Sequence, residues 1–314
     1  MTGVFKRAAW AAPVLAGLVL AVAGCATIPS SSSTAQDGVG VLVLAHGGSP
    51  RWNRTVRDAV AQARVSAPTE VAFGMGMHGH EVQDFQSAVN RLEARGVKQI
   101  VVLPLLLSSS SDVFRQFEYL FGARAEAPWP DAGQPLARDV PVTIARPLDG
   151  DPVVAEIVLA RAKRLSRDPA RETVVLVAHG PVEDADNQRW VDAMGGAASA
   201  LERAGGFAKV ERLTLRDDAP APVRDEATRQ LRQAVEQAGR TTRVLVIPVL
   251  LAPGGIEQKI PQRLAGLAYE FTGDTLLPHP ALARWLAARV QETRRQLSAG
   301  VSAAGSRAGS SMLQ

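Results

Sequence analysis

The chain has 314 residues, of which 46% are hydrophobic and 21% are charged, a composition typical of a folded protein that excludes a disordered or collagen-like chain. Its 35 basic and 31 acidic residues leave a formal net charge of +4, and because they are scattered we expect no nucleic-acid partner. The single cysteine excludes an internal disulfide framework and any metal site that needs paired cysteines.

The first segment has the pattern of a bacterial export signal. Lys6 and Arg7 precede an apolar run over residues 8–24, which is short for a membrane-spanning helix and ends in small residues before Cys25. This arrangement indicates a lipobox, where a lipid is attached to the thiol and the peptide is cut. We therefore predict a lipoprotein signal peptide over residues 1–24, lipidation of Cys25, and an exported protein that is lipid-anchored to a bacterial membrane.

Two further segments, one after the predicted signal peptide and one at the end of the sequence, lack the pattern of a folded core. Residues 25–38 are serine-rich and typical of a flexible tether. Residues 298–314 are rich in Ser, Gly and Ala and predict a disordered tail. Because an exported protein does not meet the cytosolic ATP and NAD pools, we expect no nucleotide cofactor.

The body of the chain contains two copies of one unit. The apolar run Val39–Ala45 leads into His46, and the run Thr173–Ala178 leads into His179, each histidine being followed by glycine. Continuous apolar runs bounded by glycine and proline predict buried parallel strands. Further landmarks recur in the same order, which indicates an internal repeat of about 130 residues. They are the apolar runs 99–107 and 243–251, and the proline-containing segments 146–152 and 276–280.

Amphipathic helices are predicted between the strands. The segment Gln83–Arg95 places Phe85, Val89 and Leu92 on one face, and Glu226–Ala238 has a similar pattern. Alternating strands and helices predict parallel βαβ units with right-handed crossovers.

We therefore predict an α/β fold of two tandem flavodoxin-like or Rossmann-like lobes, over residues 39–168 and 169–297. Residues 123–140 predict a loop insertion in the first lobe only.

Histidines mark the predicted ligand-binding edge of each sheet. Ligands bind at the carboxyl ends of strands in open α/β sheets, where His46 and His179 lie and can act as bases or metal ligands. The alternative is a histidine that bonds a turn carbonyl, but repetition at one landmark favours function for at least one of the pair. His279 lies between two prolines and is predicted to be structural.

A second strand, Glu70–Gly74, runs into a loop that contains His78, His80 and Glu81 between methionine and glycine residues. These side chains can bind a late first-row metal ion. The alternative is a glycine-rich turn with two solvated histidines.

A serine run follows the strand of residues 99–107. Ser108, Ser109, Ser110 and Ser111 lie at a strand-to-helix turn, where amides and hydroxyls can bind an anion. Asp112 is predicted to cap the helix of residues 113–120, and Arg115 to bind substrate carboxylates; the alternative is an ordinary capped helix start. The three arginines after His46 can also meet carboxylates or form a solvated helix face; they are Arg51, Arg54 and Arg57.

The ordered motifs resemble the class II chelatases. These motifs are strand-His-Gly, then Gly-Val-x-x-Ile-Val-Val-x-Pro-Leu-Leu-Leu-Ser-Ser over residues 96–109, then Pro-Leu-x-x-x-Pro over residues 147–152. Over about residues 39–295 the chain is most similar to the sirohydrochlorin chelatases, which insert cobalt or iron into a tetrapyrrole. The resemblance implies two lobes with four-stranded parallel sheets that face a cleft. It also implies that His46, and by repetition His179, binds metal and accepts pyrrole protons.

The chain departs from the family at a second histidine. In the family this histidine follows the Pro-Leu strand, whereas Ser110 stands there in the first lobe and the segment 252–257 has no histidine in the second. Serine is a poor ligand for Co²⁺, Fe²⁺ or Ni²⁺, so His78 and His80 are candidate replacements. In the second lobe a different loop stands in place of the methionine–histidine segment; its Asp217 and Asp218 are either ligands for a hard ion or a solvated turn.

Two functional hypotheses follow from the resemblance. The first is a metal-inserting lyase that acts on a tetrapyrrole, and the second is an exported metal or tetrapyrrole carrier without turnover. A hydrolase is not favoured, because no Gly-x-Ser-x-Gly motif accompanies the His46-Gly47-Gly48 segment.

Overall fold

Strands and helices alternate along the chain. The computed structural model describes residues 38–74 and 80–310. The first half contains β1 (Val39–Ala45), α1 (Pro50–Ala63), β2 (Thr69–Phe73), α2 (His80–Ala94), β3 (Gln99–Leu105), α3 (Asp112–Leu120), β4 (Val142–Ile144) and α4 (Pro152–Leu165). The second half contains β5 (Glu172–Ala178), α5 (Asp184–Ala193), α6 (Gly195–Arg203), β6 (Lys209–Thr214), α7 (Ala221–Gly239), β7 (Arg243–Val249), α8 (Ile256–Arg263), β8 (Glu270–Phe271) and α9 (Pro280–Ser310).

The strands form two four-stranded sheets of identical topology. Their orders are β2-β1-β3-β4 and β6-β5-β7-β8, and every pairing is parallel. This confirms the predicted α/β fold with two tandem lobes. In the first sheet Ala45 lies opposite both Phe73 and Leu105, so the chain leaves β1 at the centre of the carboxyl edge. Crossovers diverge from the central strand at that point, which is where ligands bind in such sheets.

The two lobes share one hydrophobic core. All residues of β1 and β5 are buried, as continuous apolar strands require. One large apolar cluster contains residues from both sheets and from α1, α4, α6 and α9, and α1 packs against α9. The opposite face of each sheet has a smaller cluster of its own. The predicted apolar face of α2 is confirmed, since Phe85, Val89 and Leu92 are fully buried.

Helix ends differ from the sequence predictions in two places. Ser111, not Asp112, caps α3, because the Ser111 hydroxyl accepts a hydrogen bond from the Phe114 amide (3.2 Å). Asp112 is instead the first helical residue, where its negative charge still favours the helix dipole. At the chain end α9 continues to Ser310, over much of the segment predicted to be disordered; alanine, which is frequent there, has the highest helix propensity.

The predicted insertion in the first lobe forms the connection between α3 and β4 and contains no strand or α-helix. It is held to the lobe by the buried Gln116, whose side-chain amide donates to the Ala132 carbonyl (2.8 Å). None of the helices in the described parts of the chain combines the length and apolar character needed to cross a bilayer. The predicted signal peptide, Cys25 and most of the predicted tether lie outside the described residues.

Candidate functional site

His46 lies at the centre of the first sheet's carboxyl edge, and one of its ring nitrogens has no hydrogen-bond partner among the described residues. Its side chain is exposed, and its Nδ1 lies 2.8 Å from the Gly47 carbonyl oxygen. Because a carbonyl only accepts, Nδ1 carries the hydrogen, and Nε2 of the neutral ring keeps its lone pair. Gly47 has a φ of +80°, and an added Cβ would lie 3.3 Å from the Gly74 amide nitrogen. Glycine therefore permits the turn that fixes the imidazole.

The second lobe repeats this turn, but the other ring nitrogen of its histidine lies near a carboxylate. His179 Nδ1 lies 3.0 Å from the Gly180 carbonyl oxygen, and Gly180 also has a positive φ. His179 Nε2, however, lies 3.4 Å from a carboxylate oxygen of Asp218. Among the described residues, only the first lobe therefore offers an imidazole nitrogen without a partner at this landmark.

Trp52 connects His46 to the opposite lobe. The Trp52 side chain is buried in the first turn of α1, and its ring centroid lies 6.5 Å from that of His46. In the second lobe Gly254 follows β7, and a Cβ added there would lie 2.8 Å from Trp52 Cδ1. The strand-end loop of the second lobe therefore approaches the helix that follows His46.

Charged residues form a second contact between the two lobes. Arg115 Nη2 donates to Asp186 Oδ2 (2.7 Å), which joins α3 of the first lobe to α5 of the second. Asp186 is buried and also pairs with Arg189, and Arg189 Nε donates to the Ser110 hydroxyl (3.2 Å). Arg115 also pairs with Asp112 (2.7 Å), so two carboxylates of the protein balance its charge.

The serine loop binds an anion that belongs to the chain itself. The Ser109 amide and hydroxyl both donate to Asp149 Oδ1, at 2.6 and 3.0 Å. The buried Ser108 hydroxyl accepts a hydrogen bond from the Ser110 amide (3.0 Å). Of the three serines predicted to bind an anion, Ser109 donates to the Asp149 carboxylate, whereas Ser108 and Ser110 bond each other.

The loop that follows β7 in the second lobe also binds a carboxylate of the chain. The amides of Gly254 and Gly255 both donate to Glu257 Oε2, at 3.1 and 2.8 Å. Glu257 is buried. A carboxylate of the chain therefore again accepts hydrogen bonds from the loop amides at the start of the following helix, where the helix dipole favours a negative charge.

The structure describes only some of the remaining predicted ligands. His78 lies outside the described residues, and His80 begins α2. Asp217 forms ion pairs with Lys259 and Arg263, so its charge is balanced without a metal ion. Within residues 38–74 and 80–310, no cluster of three or more His, Cys, Asp or Glu side chains is arranged to hold a metal.

His279 has a structural role, as predicted. Its Nδ1 accepts a hydrogen bond from the Ala281 amide (3.2 Å) at the start of α9. Burial lowers the pKa of His279, and the nearby charge of Arg161 lowers it further, which favours the neutral ring that this hydrogen bond requires. Of the arginines after His46, Arg57 lies over the Phe73 ring (4.6 Å to the centroid), and Arg51 and Arg54 are exposed.

The ion pairs of Asp186 predict a pH-dependent stability. The hydrogen bond from Arg115 lowers the pKa of Asp186 below the ordinary value of an aspartate, against the opposing effect of burial, and Arg189 lowers it further. A carboxylate with a lowered pKa stabilises the fold fully above its unfolded-state pKa, and this contribution is lost as the pH falls through the folded-state pKa. We expect Asp186→Asn to lower the free energy of unfolding by about 1–3 kcal/mol at pH 7, measured by urea unfolding.

The difference between wild type and Asp186→Asn should shrink as the pH is lowered below about 4. Asp112→Asn is the matched control, because Asp112 pairs with the same arginine but is exposed; we expect a change within about 0.5 kcal/mol. A difference for Asp186→Asn that is equal at pH 7 and pH 3 would contradict the assigned ion pairs.

Two lobes that each contain a parallel four-stranded sheet are also found in solved structures of chelatases. SirB from Bacillus subtilis, solved with Fe³⁺, matches with a TM-score of 0.58 and 19% identity, over 81% of this chain and 95% of that chain. CbiX, described as the terminal enzyme for biosynthesis of siroheme in denitrifying bacteria, matches with a TM-score of 0.53 and 17% identity, over 81% of this chain and 98% of that chain. The fold predicted from the resemblance is therefore confirmed.

The family is shown by the sequence as well. The CbiX family model matches twice, over residues 40–165 and 173–293, and each match covers one of the two sheets except for the first residue of its first strand. This chain belongs to the CbiX family. A comparison with curated proteins gave no match.

Several residues of the site escaped sequence reasoning. Asp149 lies within the Pro-Leu-x-x-x-Pro motif, and its place beside Gly150 at a turn was a usable signal. Trp52, Asp186 and Arg189 gave none, because their partners in the other lobe are far away along the chain.

Proposed function

We propose that this chain inserts a divalent first-row transition-metal ion, Co²⁺, Fe²⁺ or Ni²⁺, into a tetrapyrrole at His46. The observation that carries the proposal is the exposed His46 ring, whose Nδ1 is engaged by the Gly47 carbonyl and whose Nε2 has no hydrogen-bond partner among the described residues. A free imidazole nitrogen can bind such a metal ion or accept a proton. Membership in the CbiX family supports chelatase chemistry; of two structural neighbours, one was solved with Fe³⁺ and the other is described as an enzyme of siroheme biosynthesis.

One imidazole can serve both steps of the reaction. The metal ion is a substrate, and His46 Nε2 supplies one protein ligand while water supplies others. Insertion forms metal–nitrogen bonds to the macrocycle and displaces two pyrrole protons. When the metal leaves Nε2, the freed lone pair can accept one proton, and water accepts the other. No oxidant, reductant or nucleotide is required, because the metal keeps its charge.

Metallation of a tetrapyrrole in solution tests the proposal. The purified protein is mixed without oxygen with sirohydrochlorin and Co²⁺, Fe²⁺ or Ni²⁺, and the absorption spectrum is followed. We expect bands of the metallated macrocycle to appear faster than in the absence of protein. Absence of both binding and metallation for every metal would overturn the proposal.

A non-catalytic carrier is the second candidate, and Ser110 is the observation that favours it. Ser110 stands where the family resemblance implies a second histidine, and its hydroxyl accepts a hydrogen bond from Arg189 (3.2 Å). A guanidinium at this position offers no lone pair and repels a divalent cation. Tight binding of metal or macrocycle without metallation would identify the carrier.

We further propose that the protein works outside the cytoplasm, anchored by a lipid on Cys25. The support is the apolar run over residues 8–24, which ends in small residues before the only cysteine. Membrane fractionation of wild type and Cys25→Ala tests this: the wild type should remain with the membrane, whereas the variant should lose the anchor. Equal membrane association of the two would contradict lipidation.

A further inference from the structure

A cavity of about 510 Å³ lies in the first lobe, between α3, β4 and the connection 121–141. Its volume falls in the range of small-molecule sites. Part of its wall is apolar and is formed by Phe114, Phe121, Val142 and Pro147. His46 is not among the residues that line it.

Two arginines line this cavity without a carboxylate partner in the described parts of the chain. Arg138 makes one long hydrogen bond, to the Leu136 carbonyl (3.4 Å), and Arg146 makes neither a hydrogen bond nor an ion pair with any described residue. The two lining carboxylates, in contrast, are engaged: Glu118 pairs with Arg124 (3.3 Å), and Asp149 accepts from the Ser109 amide and hydroxyl. The uncompensated charge in the cavity wall is therefore positive.

The position of Arg138 depends on the insertion. Gly122 lines the cavity with a φ of +74°, and an added Cβ would lie 2.9 Å from Arg138 Nη2. The guanidinium therefore lies directly against the Gly122 backbone. The second lobe joins its equivalent elements, α8 and β8, by residues 264–269 only, so this wall belongs to the first lobe alone.

We propose that this cavity binds a carboxylate attached to an apolar body, held by Arg138 and Arg146. A guanidinium recognises a carboxylate through two parallel hydrogen bonds, and the aromatic and aliphatic lining offers a surface against which the apolar body of the ligand can pack. The same chemistry is offered by a small free acid and by a peripheral carboxylate of a tetrapyrrole. The proposal does not depend on metal insertion and stands if that activity is absent.

Calorimetric titration of the full chain with 4-phenylbutyrate tests the site. We expect the wild type to bind the acid, and Arg138→Gln and Arg146→Gln each to weaken binding by about tenfold. Glu118→Gln should strengthen binding, because it removes a negative charge from the wall. Arg203→Gln, an exposed arginine on α6, is the matched control and should leave the affinity unchanged. The thermal unfolding temperature of each variant verifies that it is folded.

Three results would overturn the proposal: no binding at millimolar acid, equal affinity in the two arginine variants and wild type, or equal binding of the uncharged 4-phenylbutanol. Competition with uroporphyrin, a polycarboxylate tetrapyrrole, then distinguishes the source of the carboxylate. If uroporphyrin displaces 4-phenylbutyrate, and does so only when Arg138 and Arg146 are present, the occupant is a tetrapyrrole side chain. If the acid still binds in excess uroporphyrin, the occupant is a separate small acid.

Discussion

Replacing His46 by alanine should lower the rate of metal insertion by about 10²–10⁴-fold, the effect typical of losing a positioned proton acceptor. The substitution removes the exposed imidazole whose Nδ1 is held by the Gly47 carbonyl, and with it the free Nε2. Initial rates of metallation, read from the absorption bands of the product at several metal concentrations, measure the effect. Because Nε2 is proposed both to bind metal and to accept a proton, we expect kcat to fall and the KM for the metal to rise.

His179→Ala is the matched control for His46→Ala. His179 lies in the same His-Gly turn of the second lobe, but its Nε2 faces Asp218 at 3.4 Å. We expect this variant to keep most of the rate, since its imidazole does not offer a free nitrogen. A rate for His46→Ala within twofold of wild type would exclude His46 from the chemistry. An equal loss in both variants would mean that the two lobes contribute alike.

The methionine–histidine loop can be tested in the same assay. His78 and His80 are predicted to supply replacement ligands for the missing second histidine. If they do, His78→Ala combined with His80→Ala should raise the KM for the metal and leave kcat nearly unchanged, because these residues would bind the ion without accepting the pyrrole proton. An unchanged KM would show that the two histidines form a solvated turn.

Most of the fold could be predicted because its signals are local and repeated. The apolar run Val39–Ala45 coincides with β1, and Thr173–Ala178 falls short of β5 by one residue. Fully buried central strands are apolar throughout, without alternating polar and apolar residues, so their pattern is simple to interpret. The glycines that follow them mark the carboxyl edge. The same landmarks in a second copy predict the two-lobe arrangement, which the two sheets and the two family matches confirm.

The site could be predicted only where its chemistry is local. His46 was found because a histidine followed by glycine at a strand end is visible in the sequence. The serine loop was identified as an anion site, but its occupant was not predicted, because Asp149 reaches Ser109 across another strand-end turn. Arg115 was assigned to a substrate carboxylate, whereas the structure pairs it with Asp186 of the other lobe. A single sequence contains no signal for a contact between side chains of separate lobes.

Asp151→Ala should cause the largest loss of stability among the polar substitutions considered. The Asp151 carboxylate caps α4 through the Val153 amide (3.0 Å), and it accepts hydrogen bonds from Trp285 Nε1 (3.0 Å) and Arg289 Nη2 (2.7 Å) on α9. We expect the free energy of unfolding in urea to fall by about 2–4 kcal/mol, from the lost cap and the lost charged hydrogen bond. Asp151→Asn should lose less, because its amide oxygen can still cap the helix.

Glu156→Ala on the same helix is the control, since the Glu156–Arg284 pair also joins α4 to α9 but is exposed on both sides. We expect a change within about 0.5 kcal/mol for this variant. Asp151 joins helices of the two lobes at their shared core, so its loss should also weaken the coupling between the lobes. Unfolding that separates into two transitions in Asp151→Ala, but not in Glu156→Ala, would follow from that weakened coupling. Equal, small losses in both variants would mean that apolar packing alone holds the lobes together.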